Sequence, residues 1–137
     1  MTRKAGKPVL EVLAVTRVVA APDALDRASF PSDSIVMRTA PDDVMVIGDG
    51  PVAVDDPHAI VRADAGWSGV WVDRAPADRY LKGNCSWPRP SVRPAFAQGA
   101  IAHLAVKLWL TEDRTLFVFP TALTADFVDR TPPEWSA

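Results

Sequence analysis

Alternation of apolar and polar residues at period two is clearest toward the C-terminal end, in two runs, Ala100–Leu110 and Thr115–Phe119. Leu108, Leu110, Leu116 and Val118 mark the alternation, and the polar stretch Thr111-Glu112-Asp113-Arg114 between the runs predicts a hairpin. Ser34–Ala40 and Val44–Gly48 flank Pro41-Asp42-Asp43 and predict a second, tighter hairpin. Val9–Val19 is rich in Val and Leu, which favours a strand through β-branching, although Glu11–Thr16 also fits a helix. Two further apolar runs, Ala59–Ala63 and Ser68–Val72, surround Asp64-Ala65-Gly66 and predict either a bent strand or a third hairpin.

Helical signals are shorter. Ala21–Ser34 carries Pro22, Asp23, Asp26, Pro31 and Asp33, a connecting segment with room for one helical turn around Ala24–Arg27. Pro76 suits the first turn of a helix, Ala77, Tyr80 and Leu81 share a face, and Gly83 stands where a C-terminal stop belongs. Thr121 is a candidate cap for a last helix whose Leu123, Phe127 and Val128 face inward until Pro132-Pro133 ends it, leaving Trp135 as an exposed-looking end. Asn84–Gln98, with Pro88, Pro90 and Pro94, suits neither a helix interior nor a central strand and is expected as an ordered loop or docking segment. Strands outnumber helices and come in hairpins. The fold expected is α+β, a mostly antiparallel sheet built from hairpins with short helices packed on it.

The 137 residues are enough for one domain, expected over 9–137, behind a mobile tail, 1–8, that carries Arg3, Lys4 and Lys7. Hydrophobic residues at 48% and charged residues at 23% match folded proteins, which excludes disordered and fibrous classes. No apolar run reaches the length that spans a bilayer, and the basic opening has no apolar stretch behind it, so neither a membrane span nor a signal peptide is expected. One cysteine allows no internal disulfide, in keeping with a reducing, cytoplasmic setting. A net charge of −2 with both signs interspersed gives no steering toward nucleic acid or an anionic membrane.

Candidate chemistry is sparse. Nucleophilic catalysis would rest on Cys85 with His103 or His58, but a lone Cys is more often a small buried hydrophobe. His58, Cys85 and His103 are too scattered along the chain for a metal site of ordinary spacing. Gly48-Asp49-Gly50 follows a predicted strand like a phosphate-binding turn, yet lacks a third glycine and is followed by Pro51, so it is expected as a plain turn. Asp42-Asp43 and Asp55-Asp56 lie in turns, where Asp bonds its own backbone. Trp67 and Trp71, four apart in strand-like sequence, are expected on one face, filling the core. Trp87, Arg89, Arg93 and Phe96 sit in the proline-rich segment and are the candidate partner interface, with a role for Trp87 as a lid on the core equally open. No catalytic, cofactor-binding or metal-binding residues are assigned.

From Val36 onward the order of features resembles the sarcosine oxidase gamma subunit family, within the folate-binding aminomethyltransferase superfamily. The resemblance rests on Met37-Arg38-Thr39-Ala40-Pro41-Asp42-Asp43-Val44-Met45-Val46-Ile47-Gly48, where Val44 or Met45 stands at a common Trp position. It rests also on Asp64-Ala65-Gly66-Trp67-Ser68-Gly69-Val70-Trp71-Val72 and on Ala77-Asp78-Arg79-Tyr80-Leu81-Lys82-Gly83-Asn84-Cys85-Ser86-Trp87. Phe96-Ala97-Gln98-Gly99 and the hairpin to Pro120 follow in order. The resemblance implies a non-catalytic small subunit that assembles with larger flavoprotein subunits of an oxidase or demethylase of N-methyl amines such as sarcosine. It places flavin, and with it folate and NAD, in those partner subunits, with no cofactor in this chain. The alternative is a stand-alone folate or small-heterocycle binding module, homodimeric in one form, with Asp64 as the carboxylate for a pterin ring. A stand-alone enzyme using Cys85 ranks last.

Overall fold

A computed structural model describes residues 7–136, so of the expected mobile tail all but Lys7 and Pro8 lies outside the described residues. The element order is β1 (Leu10–Val12), β2 (Val15–Val19), α1 (Pro22–Asp26), β3 (Ile35–Ala40), β4 (Asp43–Ile47), β5 (Ile60–Ala63) and β6 (Trp67–Asp73). It continues with α2 (Arg74–Asn84), β7 (Ala95–Ile101), β8 (Leu104–Leu110), β9 (Arg114–Pro120) and α3 (Thr124–Arg130), with 3-10 turns at Thr121–Leu123 and Pro133–Trp135. The fold is α+β with mostly antiparallel pairing, as the hairpin pattern predicts. Two compact units divide it, one of Leu13–Trp67 and the other of the chain from Ser68 onward together with the segment ending at Val12. Among the described residues no helix is long and apolar enough to cross a membrane.

The Leu13–Trp67 unit holds a four-stranded sheet in the order β3-β4-β2-β5. The predicted β3–β4 hairpin forms around the Pro41-Asp42-Asp43 turn, with a register irregularity between Arg38 and Ala40. Arg38 fixes that turn to α1, donating to the Pro41 and Pro22 carbonyls and pairing with Asp26 at 2.9 Å. Val18, Ala20, Leu25, Val44 and Val46 form the core on this side. The expected single strand over Val9–Val19 is two strands, because the chain leaves one sheet after Val12 and joins the other at Val15. β5 and β6 likewise pair in different sheets, β5 with β2 and β6 with β1, so they form neither a bent strand nor a hairpin.

The other unit carries a five-stranded sheet, β1-β6-β9-β8-β7. β9 is its most buried strand: Leu116, Phe117, Val118 and Phe119 are all inaccessible, so both of its faces are covered. The core groups Phe117 and Phe119 with Leu81 of α2, Phe127 of α3 and Trp135. Trp135, expected exposed, is only 1% exposed and stacks obliquely 5.0 Å from Phe117 and 4.9 Å from Tyr80. The Pro132-Pro133 break folds the chain end back instead of releasing it. Trp67 and Trp71 do share a face of β6, but the core residues of that strand are Val70 and Val72. Trp71 lies half-exposed beneath the Arg114 guanidinium, 3.8 Å from the ring centroid, a cation–π contact.

Three local expectations are corrected. The run Ala100–Leu110 breaks into β7 and β8 at Ala102-His103, both at positive φ, +49° and +67°, as a two-residue hairpin turn requires. Thr121 caps no helix: its hydroxyl bonds the Ser68 hydroxyl at 2.8 Å, and Thr124 bonds back to the Thr121 carbonyl. Gly83 is not a stop. It lies within α2, which starts two residues before Pro76 and runs to Asn84, and a Cβ added at Gly83 would meet nothing within 4 Å. Glycine there costs backbone entropy with no steric return, so Gly83→Ala is expected to stabilise the protein by about 0.5–1 kcal/mol. A lower melting temperature for Gly83→Ala in thermal denaturation would contradict this.

Candidate functional site

A cleft of about 710 Å³ lies where the C-terminal end of α2, the β7–β8 turn and the end of α3 converge. α2 contributes Lys82, Gly83 and Asn84, followed by Cys85 and Ser86; the turn contributes Ala102 and His103; α3 contributes Arg130. Local bonding explains the convergence. The Ala102 N–H donates to the Asn84 carbonyl at 3.0 Å, tying the turn to the helix end. The Tyr80 hydroxyl donates to the Arg130 carbonyl at 2.8 Å, and an Arg130 guanidinium N–H donates to the Ala102 carbonyl at 2.8 Å. Burial raises the Tyr80 pKa, against a smaller lowering by Arg130, so the phenol stays a donor to that carbonyl.

Of the two candidate nucleophile–base pairs, the structure brings Cys85 and His103 to one cleft and leaves His58 in the other unit. Cys85 is a free thiol, half-buried against the core, and its Sγ lies 3.5 Å from the Trp87 carbonyl. Among the described residues no group of three or more His, Cys, Asp or Glu side chains converges as a metal site would need.

Of the four interface candidates, two are engaged inside the fold. Trp87 folds back onto β7: a Cβ built on Gly99 would fall 2.7 Å from the indole, and the indole N–H donates to the Ala100 carbonyl at 2.8 Å. Gly99 is thus the seat that lets the ring lie against the strand. Arg93 is 7% exposed at its side chain, pairing with Asp78 of α2 at 3.1 Å and donating to the Thr111 carbonyl at 2.8 Å. Arg89 is half-exposed in the loop, and Phe96 is half-buried on the edge strand β7, opposite Trp109. The loop's exposed apolar residue is Val92, which sequence reasoning passed over.

Neither a protein-family model nor a curated protein matches this chain.

A second, smaller cleft, about 250 Å³, lies in the Leu13–Trp67 unit between Leu13–Thr16, Gly48-Asp49-Gly50 and Ala63–Ala65. Gly48 and Gly50 are both at positive φ, so the expected turn is there. Asp64 borders this cleft, but its oxygens are held by the chain itself: the Trp67 indole N–H at 2.8 Å, the Gly66 N–H at 3.3 Å and Arg17 at 3.7 Å. The Trp67 hydrogen bond is the main cause that lowers the Asp64 pKa, opposed by desolvation and helped by Gly66, Arg17 and Arg62. Asp56 is lowered chiefly by the Ala21 N–H, a bond that reaches across 35 residues, and then by the His58 N–H, which is the turn bonding expected of Asp.

Two predictions follow from these placements. Trp87→Ala is expected to cost about 2–3 kcal/mol of stability, short of a fully buried Trp, and Gly99→Ala to destabilise by pushing the same ring off β7. Unchanged thermal melting of both would rule out the seating described. A carboxylate lowered in the folded state adds stability above its unfolded pKa of about 3.9 and loses it as pH falls through the lower folded value. Melting temperature against pH should therefore fall less steeply on the acid side for Asp64→Asn than for the native chain, and parallel curves would contradict the role given to Asp64.

Proposed function

We propose that this chain is a non-catalytic accessory subunit that assembles with larger flavin-containing subunits of an oxidase or demethylase of N-methyl amines. The observation that carries the assembly half of this reading is β5. Every residue of Ile60–Ala63 is exposed, with Ile60 and Val61 54% and 47% accessible, and the strand closes its sheet with one edge unpaired. Adjacent residues of a strand point to opposite faces, so both faces of this edge present an apolar side chain beside open backbone donors and acceptors. Proteins that work alone blunt such edges by shortness, charge, proline or a covering element; β5 is four residues long with Arg62 as its one charge, and Ile60 and Val61 still stand open. A partner chain that covers this edge would bury the apolar side chains and pair the backbone. In the other unit Val12, on the edge strand β1, and Val92 add exposed apolar surface of the same kind.

The amine-oxidising half comes from the sequence resemblance alone. In this reading flavin, folate and NAD belong to the partner subunits, and the present chain contributes surface. Co-expression of the tagged chain with its genomic neighbours, followed by gel filtration, tests both halves. A retained complex with flavin absorbance that oxidises an N-methyl amine is the expected result. The double variant Ile60→Lys with Val61→Asp should melt like the native chain yet lose that complex. A retained partner without flavin would overturn the oxidase assignment, and a monomer that retains no partner would overturn the accessory role.

A further inference from the structure

The cleft at the end of α2 has an imbalance of hydrogen-bonding groups that the accessory role does not explain. Several carbonyl oxygens at and beneath it are taken up by the protein. Leu81 O accepts from the Cys85 N–H, Tyr80 O from the Asn84 amide, and Asn84 O from the Ala102 N–H. Ala100 O accepts from Trp87, Ala102 O from Arg130, and Arg130 O from Tyr80. Of the last carbonyls of α2, those of Leu81 and Asn84 are satisfied in this way.

What remains is cationic and rich in donors. Lys82 and Arg130 form no ion pair among the described residues, and no carboxylate lines the cleft. Arg130 spends one guanidinium N–H on Ala102, so most of its five donors are left over. His103 stands exposed on the rim, held there by a backbone at φ +67°, a conformation that costs a non-glycine residue energy. Ser86 adds a hydroxyl, and Cys85, Ala100 and Ala102 give the cleft an apolar wall.

We propose that this cleft binds a small organic molecule through a phosphoryl group, which supplies the acceptors that the Lys82, Arg130 and His103 side chains lack. Guanidinium and ammonium groups match the oxygens of a phosphoryl group, and cations lining one cleft raise the local anion concentration. A volume of about 710 Å³ is far larger than one phosphate needs, so the phosphoryl group is one end of the ligand and the apolar wall meets its body.

Titration of the full-length chain with inorganic phosphate, followed by amide NMR at constant ionic strength, tests the phosphoryl end. Saturable shifts at Asn84–Ser86 and Ala102–His103, absent with chloride, are the expected result. Lys82→Ala, which removes no bond within the fold, should weaken phosphate binding by about tenfold or more and leave the melting temperature unchanged. His103→Asn, a residue that tolerates the same backbone conformation, should weaken it without unfolding the turn. Pyrophosphate should bind more tightly than phosphate. The proposal is overturned if phosphate gives no saturable shift, if Lys82→Ala binds as well as the native chain, or if succinate binds as tightly as phosphate.

Discussion

The unit that begins at Ser68 depends on one aromatic cluster. Phe117 and Phe119 project from β9 to a single face, Phe127 stacks on Phe119 with ring centroids 4.1 Å apart, and Trp135 and Tyr80 close on Phe117. The five rings come from four elements, two of them from β9, so the cluster holds α2, α3 and the chain end to the same strand. Aromatic pairs in tilted or edge-on geometry add about 0.5–1.5 kcal/mol each beyond the area they bury, and here they form a connected set. The cluster also builds the cleft. Tyr80 touches the cluster with its ring and bonds Arg130 with its hydroxyl, so the contact that completes the core sets the end of α3 beside the end of α2.

The Leu13–Trp67 unit has no such cluster and relies on charged bonds around a small aliphatic core. Arg17 on the central strand β2 is held between Asp43 of β4 and Asp64 after β5, with Asp43 at 2.6 Å. These three side chains are each about a quarter to a third exposed. Exposed pairs contribute little singly, which makes their value here positional: they set the register of three neighbouring segments. The same constraint explains why Asp64 serves the fold, since its withdrawal would leave Arg17 and the Trp67 indole short of an acceptor.

Hairpins whose turns carry proline, aspartate or a charged run were legible, because period-two alternation and turn chemistry are local signals. The β3–β4 and β8–β9 hairpins, α1 and the existence of α2 and α3 fall in this group. The Ala102-His103 turn was not legible, since neither residue is the glycine or asparagine that announces positive φ, and the apolar run continues through it. The burial of Trp135 is a tertiary effect that no local pattern carries. Pairing of β5 and β6 in different sheets was hidden for the same reason: a strand's own sequence does not name its neighbour. The cleft draws Lys82, His103 and Arg130 from three elements, so only Cys85 and His103 had drawn notice, and then as a nucleophile and base.

The way cations are used separates structure from function in this chain. Arg17, Arg38, Arg74 and Arg93 each reach a carboxylate, and most also reach a carbonyl, which is how a fold employs a guanidinium. Lys82 and the remaining donors of Arg130 do neither; Arg62, Arg79 and Arg89 likewise form no ion pair among the described residues, but Lys82 and Arg130 line one cleft. Cations without a carboxylate beside them along one concave surface raise the local positive potential there. The folding of the unit does not call on Lys82, since the cluster of rings and the bonds around Ala102 hold it. A positive concave surface that the fold does not use for its own bonds suits an anion, in keeping with the phosphoryl group proposed for it.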